Sequence, residues 1–244
     1  MKQILVAGGT GGVGEGIVRA LLDAGHTVVV PSRSAAKLDL LRNRLGVARA
    51  HRLIAVVGNV AARDGALAVR EHVRREVERL DAIVASLGGW WEGGPLIDVS
   101  DDLWDELMNE FLRAHFVFAR NFIPVLRAHP GGGRYIGIGG GAAYFPVPNA
   151  APVSIAAAAQ LMMTRALRAE LPDPELDILE LVVDGPVHTR DSAGIAQPDW
   201  ITADEVGAVV ADLVADGRTG APSTSASGPI LRMRPTRSPE VTGG

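Results

Sequence analysis

The run Gly8-Gly9-Thr10-Gly11-Gly12-Val13-Gly14-Glu15-Gly16 constrains this chain more than any other stretch. It follows a short apolar run, Ile4 to Ala7, and opens an amphipathic stretch from about Gly12 to Ala24. Glycines crowded between a strand and a helix mark a tight turn that something must approach closely. Two spacings overlap here: G-x-G-x-x-G at Gly9, Gly11 and Gly14, and G-x-x-x-G-x-G at Gly8, Gly12 and Gly14. A helix that begins on such a turn offers free backbone N–H groups and the positive end of its dipole to an anion, which suits a dinucleotide pyrophosphate. Gly8, Thr10, Gly12, Val13 and Gly14 are the expected contacts. The bland alternative is a glycine turn that outlived its ligand.

The rest of the chain alternates strands with helices. Strands are expected at Thr27 to Val30, Leu53 to Val57, Asp81 to Ser86, Tyr135 to Ile138, Asp177 to Val183 and Pro229 to Met233. Helices are expected at Ser34 to Leu45, Arg63 to Arg79, Ser154 to Leu171 and Ala203 to Asp216. A long helix capped by Ser100, with Asp101 and Asp102 in its first turn, runs towards Pro130 and bends at Pro124. This order predicts an α/β fold, a doubly wound, Rossmann-type three-layer sandwich around a seven-stranded parallel sheet. One dinucleotide-binding domain over residues 1–234 and a flexible tail over 235–244 are expected, since no repeat or linker divides the 244 residues.

Composition narrows the chemistry. With no cysteine, thiolate nucleophiles and thiolate metal sites are excluded. No His/Asp/Glu group has metal-ligand spacing, so no metal is expected. A formal charge of −4 without a basic stripe speaks against nucleic acid. No apolar run reaches the roughly 20 residues of a membrane span, and the first residues lack the pattern of a signal peptide, so a cytoplasmic protein is expected. Lysine occurs only at Lys2 and Lys37. At the end of the second strand, where NAD-type sites carry an acid, the chain has Ser32-Arg33. A guanidinium there suits a ribose 2′-phosphate and favours NADP(H) over NAD(H), or it is a solvated surface arginine.

These residues together resemble the short-chain dehydrogenase/reductase (SDR) family, from Ile4 to about Met233. Gly8, Gly12 and Gly14 match its glycine loop. Asn59-Val60 stands for its Asp-Val beside the adenine, and Ala85-Ser86-Leu87-Gly88 for its Asn-Asn-Ala-Gly. Asp184-Gly185-Pro186-Val187-His188-Thr189 resembles its Pro-Gly-x-x-x-Thr, which makes Thr189 the implied contact to the nicotinamide amide. The resemblance implies hydride transfer between a nicotinamide and a carbonyl or alcohol. In that reaction a Tyr moves the proton, a Lys four residues on lowers its pKa, and a Ser and an Asn complete the relay.

Here the match fails at four positions. Pro152-Val153-Ser154-Ile155-Ala156-Ala157 resembles Pro-Tyr-Ser-x-Ser-Lys and puts Val153 and Ala157 at the Tyr and Lys positions. Gly140 stands at the Ser and Phe111 at the Asn. No lysine lies on that helix, and Arg165 and Arg168 are two to three turns further on. A positioned general acid contributes about 10²–10⁴ in rate, so family-type turnover is expected to be absent or very weak.

Candidate replacements are Tyr144, His188 and Asp184, each with a plainer role as aromatic wall, solvated loop or turn cap. His115 is best read as a packed, hydrogen-bonded histidine. Trp90 and Trp91, with Tyr144 and His188, are expected to line a substrate pocket, and the triple Gly139-Gly140-Gly141 either admits a ligand to backbone N–H groups or is merely flexible. Three functions remain open: a dinucleotide-holding, catalytically degenerate subunit or sensor; an isomerase, cyclase, lyase or dehydratase; and an atypical NADPH-dependent carbonyl oxidoreductase. The resemblance implies a homo-dimer or tetramer through the long helix and the Ala-rich one, where Ala156, Ala158 and Ala159 permit close approach. A mixed oligomer with an active family member is a further possibility.

Overall fold

The computed structural model describes residues 1–173, 175–215 and 230–235. Its elements in chain order are β1 (Gln3–Ala7), α1 (Gly12–Asp23), β2 (Thr27–Ser32), α2 (Ala35–Leu45), α3 (Val47–Ala50), β3 (Leu53–Val57), α4 (Arg63–Glu76), β4 (Ala82–Ala85), α5 (Asp101–Met108), α6 (Ala114–Arg127), β5 (Gly133–Gly140), α7 (Ala151–Glu170), β6 (Leu176–Val183), β7 (Val187–His188), β8 (Ile201–Thr202), α8 (Ala203–Ala215) and β9 (Ile230–Met233). Seven strands form one sheet in the order β3-β2-β1-β4-β5-β6-β9, and every pair in it is parallel. This is the expected doubly wound sheet. The chain reverses direction across it between β1 and β4, the place where such folds open a ligand crevice.

The strands read as unbroken apolar runs because both faces are covered. In β1, Ile4 and Val6 join one core with α1, α2 and α8; Leu5 and Ala7 join the other with α4 and α6. Phe118 and Phe122 stack in the second core with ring centroids 4.8 Å apart.

Several expected boundaries shift. The long helix is not continuous: a π-helical turn, Asn109–Arg113, separates α5 from α6, which ends at Arg127 with Pro124 inside it. The Ser100 cap is as expected, its Oγ accepting from the Leu103 N–H at 3.3 Å. α4 stops at Glu76 because Val77 turns to extended backbone, and α7 starts at Ala151, with a proline in its first turn. β5 extends to Gly140, so Gly139 and Gly140 pair with Val182 and Val183 in the sheet. Sequence periodicity missed the one-turn α3 and the β7–β8 pair, which are too short to show a pattern. Asp216, Pro229 and the tail beyond Pro235 lie outside the described residues.

Candidate dinucleotide site and the apolar cluster beside it

The glycine turn has the tightness its sequence implies. Gly8 lies at φ +79°, and a Cβ there would sit 1.8 Å from the Ser86 carbonyl oxygen at the end of β4. A Cβ on Gly14 would lie 2.1 Å from the Gly8 oxygen, so α1 rests directly on the turn. Gly11 precedes α1 and no side chain caps the helix. The N-terminal end of α1 therefore presents backbone donors and a positive dipole at the switch point.

An unanticipated charge cluster flanks this turn. Glu15, buried in the first turn of α1, accepts from Arg44 at 2.9 and 3.0 Å, from Arg19 at 3.3 Å and from Arg190. Arg190 also donates to the Thr10 carbonyl at 2.9 Å. The segment after β7 is thereby strapped to the glycine turn, and the Thr189 side chain is packed on Gly12, where a Cβ would lie 2.7 Å from it. The sequence signals for this cluster were an acid inside a glycine-rich turn and Arg19 four residues on in α1; the other two partners, Arg44 and Arg190, come from elements far apart in the chain.

At the end of β2, Ser32 Oγ accepts from the Ser34 N–H at 3.3 Å. Arg33 is exposed and has no ion pair among the described residues. Asn59 Oδ1 accepts from the Ala61 N–H at 3.0 Å, which leaves its amide group outward of the turn, and Val60 is buried beside it. Gly88 has φ +93°, and the preceding Leu87 carbonyl is held by His115 Nε2 at 3.2 Å. Burial lowers the His115 pKa to about 4 despite that bond, so the imidazole is neutral and donates. The packed, hydrogen-bonded reading of His115 fits.

Phe111 sits on the π-turn, buried, with its ring against Gly88 and Gly89. Phe111, Val153, Ala156, Ala150 and Leu107 form one buried apolar cluster, and Trp91 packs on it. The positions where the resemblance expects an amide and a phenol are thus one continuous hydrophobic contact. Ala157 is half-buried beside them. Gly140 differs: nothing lies within 4 Å of where its Cβ would be. Trp91 is wall to this cluster, whereas Trp90 is 61% exposed and roofs nothing within the described chain.

The three candidate proton donors do not assemble. Asp184 is paired with Arg232 and lies 3.5 Å from Arg234 Nε, and Arg232 stacks over the Tyr144 ring at 4.5 Å. Tyr144 and Asp184 are therefore joined through an arginine the sequence reading overlooked. His188 is exposed on β7, with no hydrogen bond or ion pair to either. The glycine triple is not an open anion cradle: Gly139 and Gly140 belong to the sheet ladder, and Gly141 abuts the Asp184 carboxylate.

A second buried acid, Glu180, stands in the middle of β6. It accepts from Thr164 Oγ1 and from Gln160 Nε2 at 3.4 Å, both on α7. Gly137 and Gly139 leave room for its carboxyl group. Burial raises its pKa to about 7, against the Thr164 hydrogen bond and Arg165. Among the described residues no group of three or more His, Cys, Asp or Glu is arranged to hold a metal, and no helix is long and apolar enough to cross a membrane.

Comparison with known proteins agrees with this geometry. The chain is 25% identical over 244 residues to the Caenorhabditis elegans dehydrogenase/reductase SDR family member 4, covering 99% of this chain and 91% of that one. The structure of ElxO with NADP bound superposes with a TM-score of 0.81 at 16% identity, covering 95% of this chain and 97% of that chain. A 3-ketoacyl-(acyl-carrier-protein) reductase from Brucella melitensis complexed with NADH superposes with a TM-score of 0.75 at 20% identity, covering 88% and 90%. Residues 2–197 match the short chain dehydrogenase family model, and with the parallel sheet and glycine turn already in place, the chain belongs to the short-chain dehydrogenase/reductase family.

Proposed function

We propose that this protein holds a nicotinamide dinucleotide, NADP(H) in preference to NAD(H), without efficient hydride transfer by its family's route. It then acts as a catalytically degenerate subunit or a ligand-responsive sensor. The observation that carries this reading is the apolar packing of Phe111 against the cluster that contains Val153, where an amide and a phenol are needed.

The residues present fit the dinucleotide. A Cβ at Gly8 or Gly14 would collide with the Ser86 or Gly8 carbonyl and one at Gly12 with Thr189, so only glycine keeps this turn tight, and the uncapped end of α1 suits the pyrophosphate. Arg33, exposed and without an ion pair among the described residues, and Ser32 are the groups for a 2′-phosphate. Solved structures of the same fold, one with NADP bound and one complexed with NADH, superpose on this chain, so the preference argued here rests on the residues at the end of β2. By the resemblance, Asn59 and Val60 would flank the adenine, Gly88 would stand in the loop after β4 on the dinucleotide side, and Thr189 would meet the nicotinamide amide. The cofactor supplies a hydride when bound; this chain's residues bind and orient it, and none of the four relay positions can hold a proton. An isomerase, cyclase, lyase or dehydratase reading has less support, because Asp184 lies between two guanidinium groups and His188 stands apart on a two-residue strand.

Calorimetric titration tests the first half. NADPH is expected to bind more tightly than NADH by about tenfold, the worth of one charge-assisted contact, and Arg33→Ala to erase the difference while leaving NADH unchanged. Absence of NADPH binding at millimolar concentration removes the reading. Rapid NADPH oxidation across a carbonyl panel, at the roughly 10 s⁻¹ of an ordinary enzyme, removes the degenerate half.

For assembly we favour a second copy on the face formed by α5, α6 and α7. A groove of about 550 Å³ runs there between Met108, Leu112, Phe116, Ala159 and Met162, with Asp105 and Arg113 at its edge. Phe116 and Met162 are 50% and 59% exposed. Asp105 and Arg113 have no ion pair among the described residues, and a two-fold axis brings each against its opposite in the partner.

A further inference from the structure

Four groups meet at the carboxyl-terminal edge of the sheet: Tyr144 after β5, Asp184 after β6, and Arg232 and Arg234 at the end of β9. Arg232 lies flat on the Tyr144 ring at 4.5 Å and is ion-paired to Asp184. The second cation, Arg234, reaches the same Asp184 oxygen at 3.5 Å, and its side chain is 70% exposed. Two guanidinium groups share one carboxylate. Among the described residues one positive charge is left over, on the largely exposed Arg234. The stacking on Tyr144 holds Arg232 in one orientation, so the pair is organised before any ligand arrives. Phe145, next along the chain, is 60% exposed and offers an apolar surface beside the charges. Gly140, the last residue of β5, leaves open space where a Cβ would stand.

The polar groups with which the family addresses a neutral carbonyl oxygen are absent here. The recognition that remains at this edge is cationic and aromatic. We propose that the ligand of this site is a small carboxylate with an apolar body, its carboxylate taken by Arg234 beside the Arg232–Asp184 pair and its body by Tyr144 and Phe145. A carboxylate suits the site better than a phosphate, because its single charge matches the one surplus positive charge, whereas the second charge of a phosphate dianion would face the Asp184 carboxylate unpaired. The inference rests on reading the chain as a ligand-holding member of its family.

Calorimetry of the full chain with hexanoate, hexanamide and inorganic phosphate tests it. Hexanoate is expected to bind at least tenfold more tightly than hexanamide and more tightly than phosphate. Arg234→Gln, at an exposed position, should keep the wild-type melting temperature and lose about tenfold in hexanoate affinity. Tyr144→Phe should retain affinity, since the ring that supports Arg232 stays; Tyr144→Ala should lower it. Equal binding of hexanoate and hexanamide, phosphate binding as tightly as hexanoate, no binding of hexanoate at 10 mM (on the order of the weakest useful affinities), or wild-type affinity in Arg234→Gln each overturns the assignment. NADPH titrated into the same samples separates the two claims. Hexanoate binding without NADPH binding leaves this inference standing and sinks the dinucleotide reading; the converse sinks this inference alone.

Discussion

Counting along the family's motifs puts Gly140 and Phe111 where its relay has polar residues, but the two positions differ physically. At Gly140 the backbone is extended, with φ −113° and ψ 155°, and the space beyond is empty. Phe111 is part of the cluster that joins the π-turn to α7. Restoring the relay therefore meets unequal resistance. Gly140→Ser is expected to change stability by less than about 0.5 kcal/mol, as for an unhindered surface substitution. Phe111→Asn removes a buried ring and leaves an amide among Leu107, Val153 and Trp91, and should cost about 3 kcal/mol. Urea denaturation of the two variants checks this; equal losses would mean that Phe111 is not a packing residue. Counting along the family's motifs puts Phe111, Gly140, Val153 and Ala157 at the four relay positions, and that much is readable in the sequence. That two of them form one apolar contact is not, since Phe111 and Val153 lie 42 positions apart in the chain.

At the scale of elements, the π-turn between α5 and α6 is the main departure from the expected long helix. Nothing in Asn109–Arg113 breaks a helix by composition; the wider turn carries Phe111, whose ring lies against Gly88 and Gly89. Such turns recur at functional positions, and this one lies where the family anchors its relay. The outer face of the same helices carries the proposed self-association. Ala159→Arg places a bulky charge in the groove between Phe116 and Met162, and is expected to convert the dimer or tetramer to monomer while the cooperative melt persists. Sedimentation velocity reads the outcome; an unchanged oligomer would move the interface elsewhere. Periodicity located the helices because their apolar stripes repeat. It could not locate the kink, α3 or the β7–β8 pair, which depend on single contacts or span too few residues for a period.

Two buried titratable groups affect the stability of the whole molecule in opposite directions. Glu180 has its pKa raised to about 7 by burial, so its contribution is present below its ordinary value of 4.5 and is lost as pH rises through 7. His115 has its pKa lowered to about 4, so its contribution is present above 6.5 and is lost as pH falls through 4. Between these limits the two slopes oppose each other. Relative to wild type, Glu180→Gln is expected to gain roughly 3 kcal/mol between pH 4.5 and 7.5, and His115→Gln a similar amount between pH 6.5 and 4. Denaturant titrations across that range measure both. Parallel pH profiles for wild type and either variant would show that the group titrates as it does in the unfolded chain.

The amino-acid order alone determined the layered parallel sheet, the glycine turn, the guanidinium at the end of β2 and the residue types that counting puts at the relay positions. These are local patterns: strand and helix periods, a turn chemistry, and residue types at fixed offsets. Tertiary structure alone decided that Glu15 gathers Arg44 and Arg190, that Asp184 is held by Arg232 and Arg234, and that Glu180 and His115 are buried. Charge pairing and desolvation depend on which distant segments the sheet order brings side by side, and no spacing along the chain encodes that distance.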